Sequence, residues 1–348
     1  KSGVGGGIMA VLPGQFGLGI FSPPLDRKGN SVRGIRVCEE LSRDYGMHMF
    51  KVARASSATV LRAAYDASQV SSRRIHHDHE RAVLRDHGKT IRIHELQGDL
   101  MFASTDSVIK AVIEAGNDAN QVIVDFRRVI GIDHASTHLL AGLARTWSAS
   151  GKPLYFTGTA QHYAFQRALS RELGSESLLR FADLDRALEW CEDQLISAHA
   201  PLLRTEMDVP LEQQYLCQGF SPEALERLRA ICRLREYKAG EVLFRAGDPG
   251  LSFFMILYGT VDIVLPGKAR DDLRLNSLRA GMSLGEFALA TEAGRSAEAR
   301  AVAATRCHEV LFADLDDELK TALMVKLARE LARRLAKENA ELRVVGGE

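Results

Sequence analysis

The spacing of apolar residues changes character twice along this chain, and each change marks a different kind of structure. Near the start, two short apolar runs at residues 8–12 and 16–21 flank Pro13-Gly14. Runs joined by a turn dipeptide predict a hairpin. In GNSVRGIRVCEELSRDYG the apolar positions Val32, Ile35, Leu41 and their neighbours predict a helix. Asn30 or Ser31 is placed to cap that helix and Gly46 to stop it. Residues 55–88 are polar (SSRRIHHDHERAVLRDHG) and read as a linker carrying a short helix over residues 79–86.

Residues 89–198 alternate strand and helix patterns. KTIRIHELQGDLMFAS predicts a strand, a glycine turn and a second strand, and TDSVIKAVIEAG predicts a helix. QVIVDFRRV predicts a buried strand, followed by a helix ending at Gly151, the strand KPLYFTGT and two more helices. Such alternation predicts a largely parallel sheet flanked by helices. Residues 199–218 read as a second linker, with Pro201 and Pro210. From residue 219 the pattern changes again. A helix with Ser221 as N-cap and Pro222 at its first position precedes short strands punctuated by Gly240, Gly247, Gly259, Gly267 and Gly281. That is the pattern of an all-β barrel or roll. A long helix over residues 317–343 closes the chain, with Leu319, Leu323, Leu327, Leu331 and Leu335 four apart. Steps of four drift around a helix, which argues against a long coiled coil. The stripe packs on its own barrel or pairs with a twin.

Composition narrows the partners. The 348 residues suffice for several domains, and 45 basic side chains balance 45 acidic ones. A net charge of zero offers no field to draw in nucleic acid or an anionic membrane, so neither is expected as a partner. The five scattered cysteines form no CxxC pair and no disulfide framework. This suits a reducing compartment, and the expected location is cytoplasmic. IHHDH at residues 75–79 invites a metal reading. With no cysteine nearby and no second cluster to complete a tetrahedron, a solvated linker is the plainer reading and no metal is expected.

The sharpest local signal is GEFALATEAGRSAEARA. Gly285 lets the backbone approach a ligand, and the amides after it are expected to face outward as an anion nest. Arg295 offers the charged fork a phosphate needs, and Glu286 can accept from a ribose hydroxyl. This stretch, with YKAGEVLFRAGDPGLSFFMILYGTVDIV upstream, resembles cyclic-nucleotide-binding domains over residues 222–343. The resemblance implies that Gly285, Glu286, Phe287, Ala288, Arg295, Ser296 and Ala297 bind a cyclic nucleotide, cyclic AMP or cyclic GMP. Glu286 would take the ribose 2′-hydroxyl, and Arg295 the cyclic phosphate. Ser296 and the amides near Ala288 and Ala297 would take the phosphate oxygens. Glu298 departs from the family, where many members carry a small, hydroxyl or apolar residue. A buried Arg295–Glu286 pair in a roll that binds nothing is the competing explanation.

LQGDLMFAS, VIVDFRRVIGIDHASTHLLAGL and GKPLYFTGT resemble a STAS domain over residues 90–196. The switch version of that family carries a phosphorylatable serine two residues after the aspartate. Here Asp133 is followed by His134 and Ala135, with Ser136 and Thr137 as neighbours. A docking or oligomerising role is therefore the plainer expectation, and a helix-start anion site at residues 133–136 is the alternative.

Lys1-Ser2-Gly3 is one motif of serine β-lactamases and penicillin-binding proteins. Its usual companion occurs once, as Ser107-Val108-Ile109-Lys110, inside the STAS-like stretch, and reads as chance. The longer string KSGVGGGIMAVLPGQFGLGIFSPPLDRKGNSVRGIRVCEELS resembles the C-terminal end of bacterial and mitochondrial glutaminases, which share the β-lactamase fold. The resemblance implies hydrolysis of L-glutamine to glutamate and ammonia through an acyl-serine, with no catalytic cofactor. It places Val4 at the substrate through its backbone.

The expected architecture is therefore multidomain. A partial β-lactamase-like α/β segment (1–54) is followed by the linker (55–88) and an α/β STAS-like domain (89–198). A second linker (199–218) leads to a β-roll cyclic-nucleotide-binding domain with a long C-terminal helix (219–348). None of the family's catalytic residues stands in this chain, so on this reading it is part of a longer, homo-oligomeric enzyme. Alone it should be inactive, with the first segment's apolar face uncovered. The alternative is a non-enzymatic cyclic-nucleotide-binding or docking protein.

Overall fold

A computed structural model describes residues 5–12, 16–45, 60–174, 180–199, 208–267, 272–288 and 294–346. The chain divides into two units. Lys1–Ser68 with His87–Cys191 form one, and Gln69–Asp86 with Glu192–Glu348 form the other.

In the first unit, β1 (Gly7–Leu12) and β2 (Phe16–Phe21) pair antiparallel, Ile8 opposite Ile20 and Ala10 opposite Leu18. The connecting Pro13-Gly14 lies outside the described residues. Helix α1 (Val32–Tyr45) starts at Ser31, whose Oγ accepts from the Gly34 amide at 3.1 Å and donates to the Ser22 carbonyl at 3.0 Å. One hydroxyl thus caps the helix and ties it to the hairpin exit. Gly46, the expected stop, lies outside the described residues. Met9, Val11 and Phe21 stay 64–75% exposed, so the hairpin presents an apolar face.

Residues 55–88, read from sequence as a linker, contain more than a helix. They hold strand β3 (Leu61–Asp66) and helix α2 (Asp78–His87). LRAAYD has no β-branched residue and gives no strand signal. It extends because β4 (Ile91–Leu100) offers it an antiparallel edge, Tyr65 opposite Ile93. Strand β4 corrects a second expectation. Gly98 makes no turn: at φ +71° it sits inside one continuous strand, where the register slips between Gly98 and Asp99. The extra residue of this bulge, Ile130, lies on the neighbouring parallel strand, between Val129 and Gly131.

Beyond β4 lie β5 (Gln121–Ile132), β6 (Leu154–Thr157) and β7 (Arg180–Phe181), giving the order β3-β4-β5-β6-β7 with all but β3 parallel. Helices α3 (Phe102–Asp118), α4 (His134–Ala149) and α5 (Tyr163–Leu173) cover one face. Their Val108, Leu140 and Phe165 pack on Val122, Val124 and Phe126, and the Phe126 and Phe165 rings stack at 5.0 Å. This is the α/β sheet the alternation predicted. The last helix, α6, spans Leu184–His199, and its final eight residues belong to the second unit, inside the stretch assigned by sequence to the middle domain.

The second unit is built on two four-stranded antiparallel sheets. Strands β8 (Arg233–Tyr237), β10 (Ser252–Tyr258), β13 (Ser283–Leu284) and β15 (Thr305–Leu311) form one, in the order β13-β10-β15-β8. Strands β9 (Val242–Phe244), β11 (Thr260–Leu265), β12 (Leu273–Arg279) and β14 (Glu298–Ala301) form the other, in the order β12-β11-β14-β9. The run SFFMILY is apolar throughout because β10 is buried on both faces. Phe254 and Ile256 face the interior of the roll, with Leu278, Met282 and Cys307. Phe253 and Met255 face outward onto helix α7 (Pro222–Ile231) and the final helix α8 (Asp317–Gly346). The leucine stripe of α8 splits in two. Leu319, Leu323 and Leu327 are buried, whereas Leu331 and Leu335 are 44% and 61% exposed. No helix among the described residues is long and apolar enough to cross a membrane.

Candidate functional site

The strand-to-turn connection after β13 brings the cassette residues together. Gly285 takes φ +83°, and a Cβ there would collide with Nη1 of Arg295. Only glycine meets both demands. Gly285→Ala is expected to destabilise this unit by about 1–3 kcal/mol through backbone strain and displacement of the guanidinium. Thermal unfolding checks it, and an unchanged midpoint would refute the account.

Arg295 is buried at 6% exposure. Its Nη1 donates to the Gly285 carbonyl at 2.9 Å, and its Nη2 to the Ser252 carbonyl at 2.6 Å and more weakly to Ser252 Oγ at 3.3 Å. The guanidinium carbon lies 4.2 Å above the Phe244 ring. Nε is buried with no hydrogen-bond partner among the described residues. Burial pulls the Arg295 pKa down, and the nearby Glu286 carboxylate opposes that shift. A cation held this way favours an arriving anion, because the two together lower the cost of desolvation.

Glu286 is buried beside it and Ser296 is exposed. Phe287 is half-buried, and Ala288 and Ala297 are buried. The Ala288 amide does not face outward as expected. It donates to the Gly285 carbonyl at 3.3 Å, closing the turn on itself. Glu298, the departure from the family pattern, is engaged by Arg300 two residues along β14: Nη2 lies 2.5 Å and Nε 3.1 Å from Oε1. Alternation on the strand puts both on one face, so the carboxylate is neutralised locally.

Glu286 opens onto a narrow cleft whose other walls are Met282, Tyr215, Leu327 of α8, and Ile75 and His77. The last two come from the stretch read as a linker, and nothing in their local pattern marks them as part of a roll. Among the described residues no three His, Cys, Asp or Glu side chains gather in ligand positions. In IHHDH, His76 Nε2 lies 3.3 Å from Glu192, and His77 Nε2 lies 3.0 Å from the Ala280 carbonyl.

Over nearly its whole length this chain is similar to glutaminases. "Glutaminase 2" and "Glutaminase 1" of Bradyrhizobium diazoefficiens are 37% and 36% identical over 98% and 99% of it. The chain spans about half of each, 55% and 56%. A glutaminase of Microcystis aeruginosa is 61% identical over 54 residues, 16% of either chain. The glutaminase family model matches residues 1–50, and the cyclic nucleotide-binding domain model matches residues 234–321. The C-terminal β-roll is thus a cyclic-nucleotide-binding domain by family. Among solved structures, the catabolite activator protein of Thermus thermophilus aligns at 28% identity and a TM-score of 0.34, over 38% of this chain and 63% of its own.

Among the described residues, the remaining sequence candidates do not assemble into a second site. Val4 and the Lys1-Ser2-Gly3 triplet lie outside the described residues. Lys110 pairs with Asp106 at 2.7 Å on the exposed side of α3. The helix-start anion site expected at residues 133–136 is already filled. Asp133 Oδ1 accepts from the Ser136 amide at 2.7 Å, and Oδ2 accepts from the Phe102 amide at 3.1 Å. A capping carboxylate takes the donors an anion would need. Ser136 is buried, with Oγ 2.8 Å from Thr105 Oγ1, so it is not presented for modification.

Proposed function

We propose that this chain is the regulatory part of a glutaminase that hydrolyses L-glutamine to L-glutamate and ammonia, and that its β-roll senses cyclic AMP or cyclic GMP. The observation that carries the sensing half is the buried Arg295. Its guanidinium is fixed by two carbonyls behind Gly285 while Nε stays unpartnered. In this reading Arg295 meets the cyclic phosphate, Glu286 the ribose, and Ser296 with the Ala297 amide the phosphate oxygens. The middle sheet is a STAS-like docking or assembly module. The enzyme works in the cytoplasm as a homo-oligomer.

The enzymatic half rests on similarity to glutaminases over 98–99% of the chain, and on an N-terminal hairpin whose apolar residues lack cover. The nucleophile, its base and the groups that hold the amino acid lie on residues outside this chain. Val4 lines the substrate through its backbone. Ammonia release from glutamine is expected to be absent with this chain alone. It is expected to appear with a gene product carrying an upstream glutaminase segment, where the rate changes on adding cyclic nucleotide. Turnover by this chain alone would refute the division of labour. A longer product with no turnover would favour a protein that works by binding alone.

A further inference from the structure

Residues 69–86 form a strap on the second unit, along the outer edge of β12. Arg74 and Ser277 bridge in parallel, the Ile75 amide donates to the Ser277 carbonyl at 2.9 Å, and the Ser277 amide donates to the Arg73 carbonyl at 3.3 Å. The strap thereby extends a sheet that otherwise ends at β12. Its upstream end is bolted down. Arg74 is buried and lies 2.5 Å from Asp193, which also takes Arg279 at 2.7 Å. The buried Glu192 accepts from the Ser72 amide at 2.7 Å and from its hydroxyl. Downstream, the buried His76 is anchored 3.3 Å from Glu192, and its two neighbours are held more lightly. Ile75 is half-buried against the apolar interior of the roll, and His77 leans on Gly281 beside the Ala280 carbonyl.

Those two neighbours close the cleft beside Glu286. Ile75 and His77 stand on one side, Leu327 of α8 on another, and the space between holds about one water molecule. A site for a nucleotide-sized ligand needs about 300 Å³ or more. One wall must give way. Helix α8 is fastened by three buried leucines and by Glu330, which accepts from Tyr215 Oη at 2.9 Å. Between Arg73 and His77 the strap has two backbone hydrogen bonds to Ser277, the half-buried Ile75, the His77 contact and the buried His76 at 3.3 Å from Glu192. With Ser72, Arg74 and His76 anchored, the half-buried side chains of Ile75 and His77 are the part of this wall that can turn aside.

We infer that the strap is a built-in competitor: Ile75 and His77 occupy the base side of the nucleotide cleft, and a cyclic nucleotide binds by displacing them. This rests on the nucleotide-binding reading above and adds its regulation. Linkage makes the effect reciprocal, so whatever frees the strap strengthens binding, and binding frees the strap.

The test uses the whole chain and cyclic AMP and cyclic GMP as probes. Calorimetric titration of the wild type is compared with Ile75→Ala and with His77→Ala, each checked by thermal melt. The second variant removes a half-exposed side chain, which protects the comparison if the first unfolds. Both variants are expected to bind about ten-fold more tightly. Hydrogen exchange at residues 73–77 should speed up when the wild type is saturated. Binding by the variants where the wild type shows none would support the inference too. Equal or weaker binding by folded variants, or slower exchange on saturation, would overturn it and leave nucleotide binding intact. Silence from all three proteins would instead overturn nucleotide binding itself, and the competitor with it.

Discussion

Arg295→Ala is expected to abolish cyclic-nucleotide binding and also to lower the melting temperature of the β-roll. The two losses have separate causes. For binding, a charge-assisted hydrogen bond contributes about 1.5–3 kcal/mol. Loss of the Nε donor to phosphate, together with the positive charge behind it, therefore weakens binding about 100-fold or more. For stability, the Gly285 and Ser252 carbonyls lose the Nη1 and Nη2 donors that reach them at 2.9 and 2.6 Å. A buried acceptor left without a donor costs about 1–3 kcal/mol, and the Gly285 carbonyl keeps the Ala288 amide, so the loss falls mainly at Ser252. The contact with the Phe244 ring is lost as well. Arg295→Lys separates the effects. An ammonium keeps the charge but cannot span both carbonyls and a phosphate, so it should recover part of the stability and little of the affinity. Calorimetric titration and a thermal melt on the same samples read both. Undiminished affinity in the alanine variant would remove Arg295 from the phosphate site.

Acidification from pH 7 to pH 5 is expected to destabilise the first unit through His94. This residue sits on β4 between Ala64 of β3 and Val124 of β5, is 5% exposed, and has no hydrogen-bond partner for either ring nitrogen among the described residues. Burial, helped by Arg92, holds its pKa down at about 4, against 6.5 for an ordinary histidine. The folded state thus keeps His94 neutral where the unfolded chain binds a proton. Stability from this group is full above pH 6.5, falls as the pH drops through that value, and stops falling near pH 4. Over that whole window the loss is about 3 kcal/mol, of which about 2 kcal/mol has gone by pH 5. His94→Leu removes the titration and two unsatisfied buried nitrogens, so it should be more stable at pH 7 and flatter towards pH 5. Urea unfolding at the two pH values measures the slopes. Equal slopes in wild type and variant would sink the explanation.

Much of the fold was legible because its signals are local. The short strands expected between the glycines after residue 233 are there, β10 among them. Ser221 and Pro222 marked the start of α7, and the Ser221 hydroxyl does cap it, accepting from Ala224 at 3.2 Å. Gly285 and Arg295 were legible as parts of one cassette, but Gly285 must be glycine for a reason the spacing did not carry, its φ of +83° and the Arg295 side chain packed against it. The misreadings share a different cause. β3 exists only because β4 offers it an edge, and Gly98 bends a strand only because β5 continues past it. Asp133 looked like the mouth of an anion site, but its own carboxylate fills that mouth.

By itself the sequence determined the period of most elements and the place where alternating strand and helix give way to short strands. Both depend on residues within about a dozen positions of one another. Only the tertiary structure decided that Arg295 is held by Ser252 and stacked on Phe244, that Glu298 is spent on Arg300, and that residues 69–86 belong to the roll. The strap's partners, Ser277 and Asp193, stand more than a hundred residues away in the chain. Pairing across such a distance is set by which edges and charges remain unsatisfied once both partners have folded, and no local spacing records that.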